Sequence, residues 1–279
     1  MTDVVDAVEA DRALKARHRA MWASGDFPAV ATQVIPQLGP VLVAAAGIKP
    51  GDRVLDVGAG SGNASIPAAQ LGAETVASDL TPELLEAGRL DAEARGIALE
   101  WQQADAEALP FEDNSFDVVI SCLGVMFAPH HQPAADELLR VCRPGGTVSL
   151  LSWTPEGFLG DMFATMKPYA PPPPPGAQPA MLWGSETHVR DLFGDRIFDV
   201  EARRENLRVE AFETPEEFRE FFKATYGPTI SVYKNIGDNA DRVADLDAEL
   251  ADLGREYDYG SSTTVMDWEY LLFTARKRS

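Results

Sequence analysis

Asp56, Asp79 and Asp105 each stand at or just beyond the end of a short apolar or mixed run, and the first is followed at once by Gly58, Gly60 and Gly62 in Val54-Leu-Asp-Val-Gly-Ala-Gly-Ser-Gly62. Residues of these types at this spacing suit a cofactor rather than a metal or a nucleophile. Glycines without Cβ atoms let a backbone turn tightly and approach a ligand. A helix after the turn would aim free N–H groups and a positive dipole end at the same place. The pattern Gly-x-Gly-x-Gly differs from the Gly-x-Gly-x-x-Gly of dinucleotide folds, so the other strand ends must decide. A carboxylate at Asp79 can accept both hydroxyls of a ribose. Asp105, in Ala104-Asp-Ala-Glu-Ala-Leu-Pro-Phe111, can accept a hydrogen from an adenine amino group. Ser121-Cys-Leu-Gly124 ends a further run with small residues that leave room for a ligand.

The elements that must position these groups alternate in type. Strands are predicted at Val54–Val57, Thr75–Ser78, Ile97–Gln102, Phe116–Cys122 and Thr147–Trp153. Between them lie helical stretches at Asn63–Leu71, from Thr81 (a hydroxyl cap followed by Pro82) to about Arg95, and at Ala134–Cys142. Arg143–Gly146 reads as a turn. The nearly all-apolar Phe116–Cys122 suits a strand covered on both faces. Such alternation implies a parallel, doubly wound α/β sheet, which binds ligands beyond the carboxyl ends of its strands. Val4–Trp22 and Ile35–Ala46 read as helices ahead of this core. After it, Arg203–Phe212 reads as a strand, Thr214–Thr225 as a capped helix, Asn239–Tyr257 as an acidic amphipathic helix and Val265–Lys277 as a last strand. The two late strands could pair antiparallel at the sheet edge. The proline run 171–175 should be extended, as a plain linker or as a segment covering substrate.

Together, VLDVGAGSG, the acid in Val76-Ala-Ser-Asp-Leu80, ADAEALPF, FDVVISCLGVMFAP and the Arg140-Val-Cys-Arg-Pro-Gly-Gly146 turn resemble class I S-adenosylmethionine-dependent methyltransferases, and most of all the ubiquinone/menaquinone-biosynthesis-like (type 11) small-molecule group. The resemblance covers roughly residues 35–153. It implies a seven-stranded, mostly parallel sheet whose last strand lies antiparallel between its neighbours, with an N-terminal helical lid and a cap inserted after strand 5. The implied divisions are 1–48 for the lid, 49–153 for the cofactor core, 154–260 for the cap plus strand 6, and 261–279 for the final strand. It also implies that Gly58, Gly60 and Gly62 line the methionine part of S-adenosylmethionine, with Asp56 bracing that loop. Asp79 would hold the ribose beside Leu80, Asp105 would read the adenine amino group beside Ala106, and Ser121 would contact the cofactor near the reacting centre.

A sulfonium methyl is already activated, so such an enzyme works mainly by aligning an O, N or C acceptor in line, and needs a base only if the acceptor carries a proton. His130 is the weak candidate for that base, or a polar loop residue. His131, His18 and His188 have weaker claims. Trp22 and Phe27 either fold over the cofactor or pack a helix on the core. Trp153, Phe158, Met162, Phe163, Trp183, Phe221, Phe222, Tyr226 and Tyr233 serve either core packing or a partly apolar substrate pocket. Two alternatives stay open: a nucleotide-dependent oxidoreductase of related fold, and a cofactor-binding module without turnover. The Asn/Asp-Pro-Pro-Tyr/Phe motif of DNA-base and glutamine methylation is replaced by Ser121-Cys-Leu-Gly. No acidic cluster is legible for metal-dependent catechol methylation, and no metal is expected.

Composition sets the outer bounds. The chain has 279 residues with a formal charge of −20, which repels nucleic acid and anionic membranes. A small-molecule partner is therefore expected. Cys122 and Cys142 lie in apolar sequence without metal spacing, as reduced buried thiols do. The acidic start of the chain and the lack of a long apolar segment lead to the expectation of a cytoplasmic protein. Oligomeric state is not legible.

Overall fold

A computed structural model describes residues 2–174 and 176–279, with side chains from residue 9 onward. Pro175, the last of the proline run, lies outside the described residues. The chain opens with three helices, α1 (Thr2–Trp22), α2 (Phe27–Gln33) and α3 (Leu38–Ala45). The alternating core follows as β1 (Arg53–Val57), α4 (Ser65–Gln70), β2 (Glu74–Asp79), α5 (Pro82–Ala94), β3 (Glu100–Gln103), β4 (Phe116–Cys122), α6 (His131–Val141) and β5 (Cys142–Trp153). Beyond it come α7 (Phe158–Met166), α8 (Glu186–Phe193), β6 (Ile197–Val209), α9 (Pro215–Thr225), α10 (Gly227–Ile236), α11 (Ala240–Tyr257) and β7 (Met266–Lys277).

The strands form one seven-stranded sheet in the order β3-β2-β1-β4-β5-β7-β6. Neighbours from β3 to β5 are parallel, and β7 runs antiparallel to both β5 and β6. This is the expected doubly wound sheet. Burial explains why it forms: Val54, Leu55 and Val57 of β1 and Val118, Val119 and Ile120 of β4 are all buried in the central core. The helices present matching apolar stripes, as on α6, where Ala134, Ala135, Leu138 and Leu139 are buried and the opposite face is wet.

Several boundaries move for identifiable reasons. The expected turn at Arg143–Gly146 is absorbed into β5. Its ladder with β4 shifts register between Phe116 and Val118, and Arg276 of β7 donates to the Gly145 carbonyl, so a bulge replaces the turn. The expected helix 35–46 begins only at Leu38, and α2 is a separate helix whose first turn is capped by Asp26, which accepts from the Ala29 N–H at 3.1 Å. β6 begins earlier and ends earlier than expected, following its register with β7 from Ile197↔Lys277 to Val209↔Met266. α10 begins at Gly227-Pro228; a glycine-proline pair reads as a break, yet proline fits a first helical turn. Pro171–Pro174 has neither helix nor strand.

Two loop backbones touch where β1 and β4 end. A Cβ on Gly124 would stand 2.2 Å from the Gly58 carbonyl oxygen and 2.6 Å from its Cα. Gly124 itself has φ −88°, so the demand there is for space and not for conformation. Gly124→Ala is expected to destabilise the protein by about 3 kcal/mol, the upper part of the usual overpacking range. Gly47→Ala, at φ +65° with nothing within 4 Å of the added carbon, is expected to cost about 1 kcal/mol. Denaturant midpoints check both, and equal costs would remove the close approach as the cause.

Candidate active site

The cleft lies above the carboxyl ends of β1, β2 and β4. Its walls include Gly58, Ala59, Gly60, Ser78, Asp79, Leu80, Asp105, Ala106, Cys122, Leu123 and Gly124, with Lys15, His18 and Trp22 of α1 above them. It encloses about 910 Å³ of empty space, part of it open to solvent. Of the residues singled out from sequence, Gly58, Gly60, Asp79, Leu80, Asp105 and Ala106 come together in this wall. Asp56, Gly62, Ser121 and His130 do not.

The glycine turn is tied to β2 through Asp79. Its Oδ2 accepts from the Gly60 N–H at 2.9 Å and its Oδ1 from the Thr81 N–H at 2.8 Å. Burial raises the Asp79 pKa, and these hydrogen bonds oppose the rise. Asp105 starts a tight turn in which its Oδ1 accepts from the Glu107 N–H at 3.0 Å. The rest of that loop is pinned by α6: Arg140 donates to the carbonyls of Leu109 and Phe111, and Glu137 accepts from the Leu109 N–H at 2.6 Å. That is the physical link between the ADAEALPF segment and Arg140.

The residues outside the wall shape it from behind. Asp56 is 1% exposed. One of its oxygens accepts from Ser65 Oγ at 2.6 Å, and the other has no partner among the described residues. Burial pushes its pKa up to about 7, with the nearby Asp79 adding to the rise. Gly62 faces Trp101, whose Cη2 would lie 2.8 Å from an added Cβ; its glycine makes room for an indole. Ser121 is fully buried, donating to the Val57 carbonyl at 2.5 Å and accepting from the Val125 N–H at 2.8 Å. It clasps the end of β1 to the turn after β4. Leu123, next in that turn, has φ +61°, a left-handed conformation that strains a residue of this type.

The histidines sort differently from the sequence expectation. Both the N–H and the ring Nδ1 of His130 meet the Glu107 carboxylate, at 2.7 and 3.0 Å, and the ring is not part of the cleft wall. His131 is buried with its Nδ1 2.8 Å from His188 Nε2, and burial lowers its pKa to about 4. The cleft wall instead holds His18. Burial lowers its pKa, against smaller opposing effects from Glu107 and a backbone hydrogen bond to Phe127. Lys15 escaped sequence reasoning altogether. The signal was its i, i+3, i+7 spacing with His18 and Trp22, which puts all three on one helix face.

Asp11, Glu107 and His130 also converge, with ligand atoms within 4.8 Å of one another. Lys15 Nζ sits 3.0 Å from both of those carboxylates, so an ammonium group already meets the cluster's charge. No single helix among the described residues is long and apolar enough to cross a membrane.

A second, smaller space adjoins the cleft and shares Phe27, Ile35, Leu123 and Phe127 with it. Its remaining walls are Val30, Trp153, Leu159, Phe222, Tyr226 and Trp268. No charged side chain among the described residues borders it. Trp22, in the wall of the cleft, packs edge-on against Phe27, Phe127 and Tyr226. Pro171–Pro174 are not among the residues bordering either space; further on, the Gln178 N–H donates to the Pro129 carbonyl at 2.9 Å.

These features define a doubly wound α/β protein with a cofactor cleft at its topological switch. Comparison with known proteins narrows the class. A methyltransferase-domain family model matches residues 55–150. An uncharacterized protein of Mycobacterium tuberculosis is 53% identical over 268 residues, covering 96% of this chain and 97% of that protein. The ubiquinone/menaquinone biosynthesis C-methyltransferase of Ectopseudomonas mendocina is 37% identical over 116 residues, 40% of this chain and 45% of that enzyme. Among solved structures, the YcgJ protein of Bacillus subtilis superposes with TM-score 0.59 at 18% identity, covering 87% of this chain and 99% of that one. A Haemonchus contortus phosphoethanolamine N-methyltransferase in complex with S-adenosyl-L-methionine superposes with TM-score 0.54 at 20% identity, covering 87% and 53%. Residues 55–150 are a methyltransferase domain of the S-adenosylmethionine-dependent kind. The chain is an enzyme that uses S-adenosylmethionine to methylate a small molecule. The donor set suits that cofactor, since two wall carboxylates can take hydroxyl and amino hydrogens while Gly58 and Gly60 bring bare backbone to the same cleft.

Asp56 ties the site to pH. Its folded-state pKa of about 7 lies above the ordinary carboxylate value, so the folded chain keeps a proton that the unfolded chain releases. The stability this gives is complete in acid and is lost as pH rises through about 7. Asp56→Asn, which cannot ionise, is expected to gain on the wild type between pH 5 and 7 by up to about 1.4 kcal/mol per pH unit. Denaturant unfolding of both proteins across that range checks it, and a constant difference would mean that Asp56 ionises as an ordinary acid.

Proposed function

We propose that Gly58 and Gly60 line the methionine end of S-adenosylmethionine, that Asp79 accepts from its ribose hydroxyls beside Leu80, and that Asp105 and Ala106 meet the adenine edge. Asp56, Gly62 and Ser121 hold the loops in shape from behind. The observation that carries this assignment is the shared cleft: the carboxylate that ends β2 and the one in the loop after β3 border the same space as the first glycine turn. The bound cofactor would supply a methyl group already activated on sulfur. The chain's own work is then to orient the acceptor and exclude water, and orientation alone can lower a barrier by ~7–11 kcal/mol.

The acceptor is a small, uncharged and partly apolar or aromatic molecule seated in the cleft against Phe27 and Phe127, where the wall passes into the aromatic cluster of Trp153, Phe222 and Tyr226. A charged acceptor would be stripped of water there without a partner. For an acceptor that carries a proton, His18 replaces His130 as the group placed to take it, because His18 is in the cleft wall and burial keeps it neutral.

Calorimetric titration with S-adenosylhomocysteine tests the cofactor assignment. Wild type binds, and Asp79→Ala binds about 100-fold more weakly, because a hydrogen bond to a charged group is worth about 1.5–3 kcal/mol. Binding of a dinucleotide in its place would overturn the assignment. For the acceptor, 1-naphthol is expected to quench the tryptophan fluorescence of the S-adenosylhomocysteine-saturated protein saturably, and Leu159→Lys is expected to abolish that quenching while leaving cofactor affinity within threefold. No saturable quenching in the wild type would sink the acceptor assignment alone.

A further inference from the structure

α1 carries the Lys15 ammonium into a nest of acids. Lys15 Nζ lies 2.5 Å from Asp105 Oδ2, 3.0 Å from Glu107 Oε2 and 3.0 Å from Asp11 Oδ2. The Lys15 side chain is 17% exposed and that of Glu107 only 5%. Asp11 belongs to α1 itself, while Asp105 and Glu107 belong to the loop after β3, so the ammonium joins the lid helix to the floor of the cleft. Lys15 and Asp105 both border the cleft. Asp105 has acceptor capacity to spare: one oxygen takes the Glu107 N–H, the other takes Lys15, and a carboxylate offers about four lone-pair positions. A ligand amino group can therefore join Asp105 without displacing the lysine. If Lys15 were absent, three carboxylates would face one another across the junction of helix and loop, and like charges at that distance repel.

Resting on the cofactor assignment above, we propose that Lys15 is a positioning residue that latches α1 over the adenine end of the cleft and sets how long the cofactor stays bound. The latch acts after arrival. An open α1 still admits the cofactor, whereas a closed α1 must break a half-buried ion-pair cluster before the cofactor can leave. The protein around it is strongly acidic, with a formal net charge of −20. The exposed pair between Arg19 and Glu83 on the same helix, 3.0 Å apart with both side chains about half exposed, is an internal control, since exposed pairs contribute little.

Stopped-flow fluorescence of S-adenosylhomocysteine binding, with Trp22 in the cleft wall as reporter, separates arrival from release. Lys15→Met is expected to speed release at least tenfold with the association rate changed less than threefold. Lys15→Arg is expected to stay within threefold of wild type, and Arg19→Ala likewise. Hydrogen exchange over residues 9–22 is expected to quicken in Lys15→Met without ligand, while exchange in β1 and β4 stays unchanged, which separates an opened lid from an unfolded chain. Unchanged release in Lys15→Met, or a loss confined to association, would overturn the latch. Failure of the wild type to bind S-adenosylhomocysteine would instead bring down the cofactor assignment, a result the same traces distinguish.

Discussion

The contact between the backbones of Gly58 and Gly124 is the constraint on which the site depends. Neither residue could carry a side chain inward without meeting the other's main chain. Because the two turns touch, the ends of β1 and β4 open onto one floor instead of two separate loops. Ser121 then clasps the same two strands from below, and Leu123 is forced into a left-handed backbone conformation directly after the clasp. Strain of that kind persists only where the surroundings over-determine it. Here they do, and the result is a leucine side chain placed at the border of both the cofactor cleft and the aromatic space beside it.

Around that floor, polar and apolar functions are kept apart. Carboxylates and an ammonium group gather at the β2–β3 side. On the β5–β7 side the walls turn aromatic and, among the described residues, uncharged, with Trp268 stacked on Phe158 and set edge-on to Trp153. Trp22 stands on the boundary. The same helix face thus changes from Lys15 to Trp22 in two turns, tracking the change in chemistry beneath it.

Most of the core was legible because each of its features has a local cause. Phe116–Cys122 is a strand covered on both faces and reads as one in composition alone; its observed bounds are the same. The acids at Asp79 and Asp105 advertise themselves by following strand-like runs. What could not be read was the direction in which a residue at a strand end points. Ser121 and Asp56 sit among the motif residues yet face away from the cleft, because two-residue alternation along β1 and β4 and the clasp between them decide orientation. His130 looked available from its place beside a strand-ending loop, but its partner Glu107 is distant in sequence. Lys15 was invisible for the same reason: its meaning lies in Asp105 and Glu107, acids that only the tertiary fold brings to it. The late helices were the hardest, since Gly227-Pro228 signals a stop and a start in the same two letters.

The placement of β7 bears on how the chain is made. β6 pairs with β7 and with no other strand of the described sheet, and β7 in turn is the sole link between β6 and β5. Chains emerge from the ribosome in order, and their early parts fold first. The five parallel strands can assemble while the rest is still being synthesised, but β6 emerges with no seat to occupy. It must wait, edges unpaired, until the final strand arrives and slides in beside β5. A message that stops short of Met266 therefore costs the sheet two strands, and leaves β6 as a loose ribbon on an otherwise finished core.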